Sequence, residues 1–176
     1  IKPSKASFTT WTVDDDGPAD FHTIQGAINA ASLGDTIYVR NGTYYEHVVV
    51  NKTVSLIGEN RETTIIDGNG NGTVVTIIAN NVTINSFTIQ RGGGQFPNAG
   101  VFLNEHHSNI ITNNVIKENA YGIYVSQSSN NYLTENMVKN NTNIGILAYF
   151  SWENSFKGNV ITNNEIGIYL LNSYNN

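Results

Sequence analysis

Few residues in this chain could carry acid–base or metal chemistry, and they are unevenly placed. All six Asp (Asp14, Asp15, Asp16, Asp20, Asp35 and Asp67) fall in the first 67 of 176 residues. Acid–base chemistry on a sugar substrate needs two carboxylates facing one bond, and beyond Asp67 only Glu could supply them. Asp14-Asp15-Asp16, before Gly17-Pro18, has the oxygen donors for Ca²⁺. It reads first as a solvated turn. Glu105-His106-His107 is the strongest mixed cluster for a metal, although neighbours on a turn splay apart. There is no Cys, one Met, and four His (His22, His47, His106, His107). A thiolate site and a disulfide framework are therefore excluded. The chain is read as having no catalytic set, no cofactor and no metal site, with leanings away from an enzyme.

The elements that must position these side chains are set by a repeat. Asn109, Asn131, Asn154 and Asn176 are separated by steps of 22, 23 and 22 residues. Asn114, Asn136 and Asn159 follow five residues later, and Asn119, Asn141 and Asn164 five later again. Each unit then meets a Gly and a short apolar run: Gly100-Val101-Phe102-Leu103, Gly122-Ile123-Tyr124-Val125, Gly145-Ile146-Leu147-Ala148 and Gly167-Ile168-Tyr169-Leu170. A fixed period in this range marks a solenoid. Abundant β-branched residues, without a 3.6-residue period, make each unit a coil of short strands. Against this frame Glu105, Glu118, Glu135, Glu153 and Glu165 scatter round the circumference, as single solvated charges do. Lys117 and Lys139 share a position, but as two like charges.

Composition agrees with a repetitive β structure. Asn accounts for 28 residues and charged residues for only 13%, against roughly 25% in ordinary domains. The net charge is −5 and the nine Lys and Arg are dispersed, which disfavours nucleic acid. No apolar run approaches the roughly 18 residues of a membrane span. Residues 21–32 hold the one helical pattern, with Phe21, Ile24, Ile28 and Ala31 on one face, Thr23 as N-cap and Gly34 beyond the end. Before it, residues 8–13 are expected to be a first strand. After it, strands are expected at 36–39, 47–50, 54–57, 64–66, 74–78, 82–84 and 87–89. Gly92 to Asn98 is read as a segment looped out of one coil, tracing the ladder from Asn109 back to Asn81. Another coil carries an extra residue within 140–143, which should bulge.

Several of these residues resemble a known family. Asp20-Phe21, Thr23-Ile24-Gln25, Ala27-Ile28, Gly34-Asp35-Thr36-Ile37, Val39, Gly42-Thr43-Tyr44, Glu46, Leu56, Gly58 and Ile65-Ile66-Asp67-Gly68 are similar to the opening of right-handed parallel β-helix proteins. These form the pectin-lyase-like superfamily, which includes pectinesterases. The later Asn and Gly repeats resemble its carbohydrate-binding and sugar-hydrolase type domains of archaeal and bacterial surface proteins. The resemblance implies an all-β, right-handed parallel β-helix of about 22-residue coils with an N-terminal amphipathic capping helix. Residues 1–176 would be one domain, with residues 1–35 the first strand and cap and 36–176 the coils. It also implies polysaccharide lyase or hydrolase chemistry as one alternative. The catalytic Asp pair and Arg of pectinesterases cannot be carried over, because no Asp follows Asp67. A periplasmic protein that helps load copper into nitrous oxide reductase belongs to the same superfamily. That makes metal handling a second alternative, with thin support from one Met and four His.

Stacked coils place equivalent residues in columns about 4.8 Å apart. Val101, Ile123, Ile146 and Ile168 should point inward with Leu103, Val125, Ala148 and Leu170. The repeated Asn should sit at bends, tolerate left-handed backbone and bond to one another as an amide ladder. Phe102, Tyr124, Leu147 and Tyr169 should face out. Tyr149, Phe150, Trp152 and Tyr174 should lie beside them. Two readings of this flank stay open: a platform for sugar rings or a partner surface, or a face covered by a loop such as 92–98. Five sequons, at Asn41, Asn51, Asn71, Asn81 and Asn140, are candidate glycosylation sites. Unit-like residues at Asn176 with no cap suggest self-association through bare strand edges. The preferred reading is a non-catalytic extracellular or cell-surface module, structural or glycan-contacting, that can assemble with its own copies.

Overall fold

The computed structural model describes residues 8–176. Its strands form three parallel sheets of six, and the chain visits each sheet in turn. The first contains Thr10–Val13, Thr36–Val39, Ser55–Gly58, Thr83–Asn85, Ile110–Thr112 and Tyr132–Thr134. Gly42–Tyr44, Thr64–Asp67, Thr88–Gln90, Val115–Lys117, Met137–Lys139 and Val160–Thr162 make the second. The third is Val48–Val50, Val75–Ile77, Ala99–Asn104, Tyr121–Ser126, Ile144–Tyr149 and Ile166–Leu171. The architecture is an all-β parallel solenoid with one short helix.

Period-two alternation within each strand turns one set of side chains inward, and parallel register stacks them. In the first sheet Ile37, Leu56, Ile84, Ile111 and Leu133 pair in series. The second stacks Tyr44, Ile66, Ile89, Ile116, Val138 and Ile161. Val48, Val75, Val101, Ile123, Ile146 and Ile168 do so in the third. Apart from Ile168, which like Leu170 is exposed on the final strand, they belong to one continuous apolar cluster, with Ile161 packed against it.

The bends are held by polar ladders. Asn131 Oδ1 accepts from both the backbone N (2.9 Å) and Nδ2 (3.2 Å) of Asn109. Asn154 does the same for Asn131, and Asn176 for Asn154. Parallel ladders run through Asn114, Asn136 and Asn159, and through Asn119, Asn141 and Asn164. The expected left-handed conformation belongs to the residue before each ladder Asn. Ser108, Asn113, Glu118, Asn130, Glu135 and Asn140 all have φ between 54° and 58°. The ladder Asn must instead keep its side chain parallel to the stack to bridge coils, and its neighbour turns the chain.

A fourth ladder was not anticipated. Ser128 Oγ accepts from His106 N, Ser151 Oγ from Ser128 N, and Ser173 Oγ from Ser151 N. It follows a column of left-handed residues, Glu105, Gln127, Phe150 and Asn172.

The ladder back from Asn109 meets Val82, not Asn81. Asn109 Oδ1 accepts from Val82 N at 2.8 Å, and Asn81 takes the left-handed place before it. Gln90 and Ala99 are nine residues apart, whereas their partners Lys117 and Tyr121 are four apart. The five extra residues fall within the 92–98 segment. Gly42–Tyr44, where no strand is expected from the sequence, is a strand.

The helix covers only Ile24–Ala30. Thr23 is its N-cap, accepting from Gly26 N. Phe21 instead bridges to Val13 as extended chain, and Ala31 is already extended. Glu46 binds the helix start, its two carboxylate oxygens accepting from Ile24 N (2.8 Å) and Gln25 N (2.9 Å). Gln25 in turn meets the edge of Val48–Val50, accepting from Val49 N (2.7 Å) and donating to Val49 O (3.2 Å).

Candidate functional site

The outer face of the third sheet carries the aromatic residues. Phe102, Tyr124, Leu147 and Tyr169 stand in register on consecutive strands. Strand alternation turns them away from the aliphatic core, yet Tyr124 and Leu147 are only 5% and 6% exposed. Phe96 of the looped-out segment helps to cover Tyr124. Phe96 lies 5.7 Å from Tyr121, edge to face, and 5.6 Å from Tyr124. Phe102 and Tyr124 are 5.0 Å apart. Ala99, Tyr124, Ile144 and Leu147 thus make a second apolar cluster outside the main core, with Phe102, Tyr121 and Tyr149 against it.

Beside Phe96 the cover ends and a cavity of about 420 Å³ opens. Its walls are Phe96, Tyr121, Tyr124, Ile144, Leu147, Tyr149, Tyr169 and Leu171. None of these is Asp, Glu, His, Lys or Arg. Burial pushes the Tyr124 phenol up from its ordinary pKa, against a hydrogen bond with Ser126 that lowers it. The cavity falls in the ordinary range of small-ligand clefts, roughly 300–1,000 Å³.

The expected aromatic flank therefore divides. Phe102 stands outside the cleft, whereas Tyr124, Tyr149 and Tyr169 line it. Phe150 packs edge-on against Tyr149 at 4.6 Å but is not among the cleft walls. Trp152 and Tyr174 stack at 6.2 Å and 13° on a different bend, exposed to solvent. Phe96 and Tyr121 were not expected in the site. A loop such as 92–98 covering this flank was one of its two open readings, and Phe96 of that loop lies on Tyr121 and Tyr124.

The charged candidates lie apart from the cleft and from one another. His107 Nδ1 accepts from Ser129 N at 3.0 Å, and His106 Nδ1 faces Asn80 Oδ1 at 3.3 Å. Glu105 is an exposed left-handed residue. Among the described residues, only Asp14, Asp15 and Asp16 bring three His, Cys or carboxylate ligand atoms within 4.8 Å. Two of them are engaged in the fold: Asp14 accepts from Gly17 N, and Asp15 from Thr43 N. Asp67 is buried at the end of the strand Thr64–Asp67. It accepts from Gln90 Nε2 (2.7 Å) and Asn69 N (2.8 Å), with Arg91 at 3.5 Å. Its partners are thus amide and guanidinium groups. The five sequon residues, Asn41, Asn51, Asn71, Asn81 and Asn140, are all exposed.

Three stacked parallel sheets, laddered bends and a cleft on one outer face define the class: a right-handed parallel β-helix of the pectin-lyase-like superfamily. Residues 28–176 match the family model described as periplasmic copper-binding protein (NosD), and the chain belongs to that family. No curated protein matches the chain. Among solved structures it is similar to the pectin methylesterase of carrot, with 21% identity and a TM-score of 0.68. That match covers 85% of this chain and 52% of the enzyme. Pectin methylesterase PemA from Erwinia chrysanthemi gives 18% and 0.66, over 84% and 54%. A pectin methylesterase in complex with a hexasaccharide gives 18% and 0.67, over the same shares. This chain spans about half the length of these enzymes. The likeness establishes the fold alone.

Copper, named in the family description, does not fit the residues of this chain. Copper favours imidazole and sulfur donors. The cluster that forms among the described residues is carboxylate only, and there is no Cys and a single Met. Among the described residues no helix is long and apolar enough to cross a membrane.

Proposed function

We propose that the chain is a non-catalytic β-helix module that contacts a glycan through the cleft between Phe96 and Tyr169. One observation carries the reading: a concave, aromatic cavity lined without a carboxylate, imidazole, amine or guanidinium. Aromatic faces bind the apolar faces of sugar rings, while bond cleavage would need a proton donor and acceptor at the same place. The polysaccharide lyase or hydrolase alternative lacks such a pair in the cleft.

The module is read as one domain over 1–176, built on coils of 22 residues. Its helix serves as the N-terminal cap. Gln25 supports this by occupying the hydrogen-bonding edge of Val48–Val50, where another copy could otherwise add a strand. The compartment is extracellular or the cell surface. The family's periplasmic description and the exposed sequons are in keeping with export from the cytoplasm. Self-association through an end or a flank of the β-helix is also part of this reading. The deciding experiment screens the protein against an array of oligosaccharides and assays the bound ones for cleavage. Binding without product supports the module. Product release supports the enzyme.

A further inference from the structure

The cleft also limits what sort of glycan it can take. We infer that it binds a neutral sugar ring, held between Phe96 and the tyrosines of the third sheet, and rejects uronates. This rests on the glycan reading above and deepens it.

Three observations support the inference. First, none of the cavity walls carries a charge near neutral pH. A uronate carboxylate entering it would lose hydration and find no cation, and burying an unpaired charge is strongly unfavourable. Second, the lining is not purely hydrocarbon. Tyr121, Tyr149 and Tyr169 each add one phenolic hydroxyl to an otherwise hydrocarbon side chain in the wall. An apolar wall with such hydroxyls matches a pyranose, which has CH faces and an equatorial belt of hydroxyls. A simple alkyl chain would leave those hydroxyls unused. Third, the site is a bounded cavity rather than a flat face. Phe96 stands over Tyr121 and Tyr124 on one side, and Tyr169 closes the other from the last strand. A cavity of about 420 Å³ suits a small ring system, not the broad contact of a protein partner, which needs roughly 800 Å² per side.

Phe96 is then the specificity-determining residue. It reaches the cleft only because the Gln90–Ala99 connection is longer than its counterpart in the next coil. Phe96 is 63% exposed and is not part of the main apolar cluster, so removing its ring leaves that core intact.

The test is titration calorimetry of the intact protein with cellohexaose, maltohexaose, mannohexaose and hexagalacturonate, beside Phe96→Ala, Tyr169→Ala and Trp152→Ala. Melting curves confirm that each variant is folded. At least one neutral hexasaccharide should bind, with hexagalacturonate undetectable. Phe96→Ala or Tyr169→Ala should weaken binding roughly tenfold or more, the cost of one lost aromatic contact, and Trp152→Ala should not. Equal or tighter binding of hexagalacturonate overturns the inference but keeps the glycan module. So does neutral binding lost in Trp152→Ala and retained in Phe96→Ala, which would place the site on the Trp152–Tyr174 bend. If none of the four binds, the neutral-ring inference fails, and the wider array decides the module reading.

Discussion

Asn136 Oδ1 accepts two hydrogen bonds from Asn114, one from its backbone N and one from its Nδ2, both at 3.1 Å. The Asn136 amide passes the pattern on, donating to Asn159 Oδ1 and to Ile111 O. Both Asn114 and Asn136 are completely buried. Each ladder residue thus satisfies one coil with its oxygen and the next with its nitrogen. Asn136→Leu would leave several buried groups unpaired at once. We expect a loss of about 3 kcal/mol or more, since each such group costs about 1–3 kcal/mol. Thermal or urea unfolding checks this, and an unchanged midpoint would remove the ladder from the stability account.

Glycine has a stacking role that depends on the coil above it. A Cβ on Gly122 would lie 2.5 Å from the carbonyl oxygen of Gly145, a backbone atom that cannot swing away. On Gly167 the nearest atom would be Ile161 Cγ2 at 3.7 Å, an ordinary contact. Gly122→Ala should therefore destabilise by about 1–3 kcal/mol, as overpacking does, while Gly167→Ala should be close to neutral. Comparing the two melting temperatures tests the argument within one pair of variants.

Asp35 ties the start of the chain to the first coil. Its carboxylate accepts from Thr9 N (2.8 Å), Ser32 N (2.8 Å) and Trp11 Nε1 (3.1 Å). The hydrogen bond from Thr9 N, then that from Ser32 N, holds its pKa below the usual carboxylate range, against desolvation that raises it. A depressed folded-state pKa stabilises the fold above the unfolded value and loses that contribution as pH falls through the folded one. Asp35→Asn should lower the melting temperature near pH 7. Its gap from the native protein should narrow as pH drops below the usual carboxylate range. A gap independent of pH would show that charge is not involved.

At the helix, Gln25→Ala leaves Val49 N–H without its partner. Val49 is only half-buried, so water can compensate in part. We expect about 1 kcal/mol of destabilisation, together with faster amide exchange at Val49. Exchange unchanged at that amide would argue against the edge-covering role.

The repetitive part of the molecule was legible because its signal is local and periodic. The inward columns and the amide ladders follow from spacing alone. Left-handed backbone was placed one residue late, since spacing shows which residue recurs but not which of two neighbours carries positive φ. Gly42–Tyr44 was hidden by the turn signal of Asn41-Gly42, overridden by pairing with Thr64–Asp67. The end coil was harder. Glu46 and Gln25 act across about twenty residues without a repeat to flag them. The cleft was half legible: the register of Tyr124, Leu147 and Tyr169 was clear, but Phe96 arrives from a segment with no counterpart in other coils.

The central claim is that the cleft binds a sugar and does not cleave it. Its most direct measurement is incubation of the purified chain with an array-selected oligosaccharide, following binding by calorimetry and product by mass spectrometry. The account predicts saturable binding, weakened in Phe96→Ala, with the oligosaccharide recovered intact. Shortened or chemically altered oligosaccharide, formed by the native chain and not by a boiled control, would contradict it.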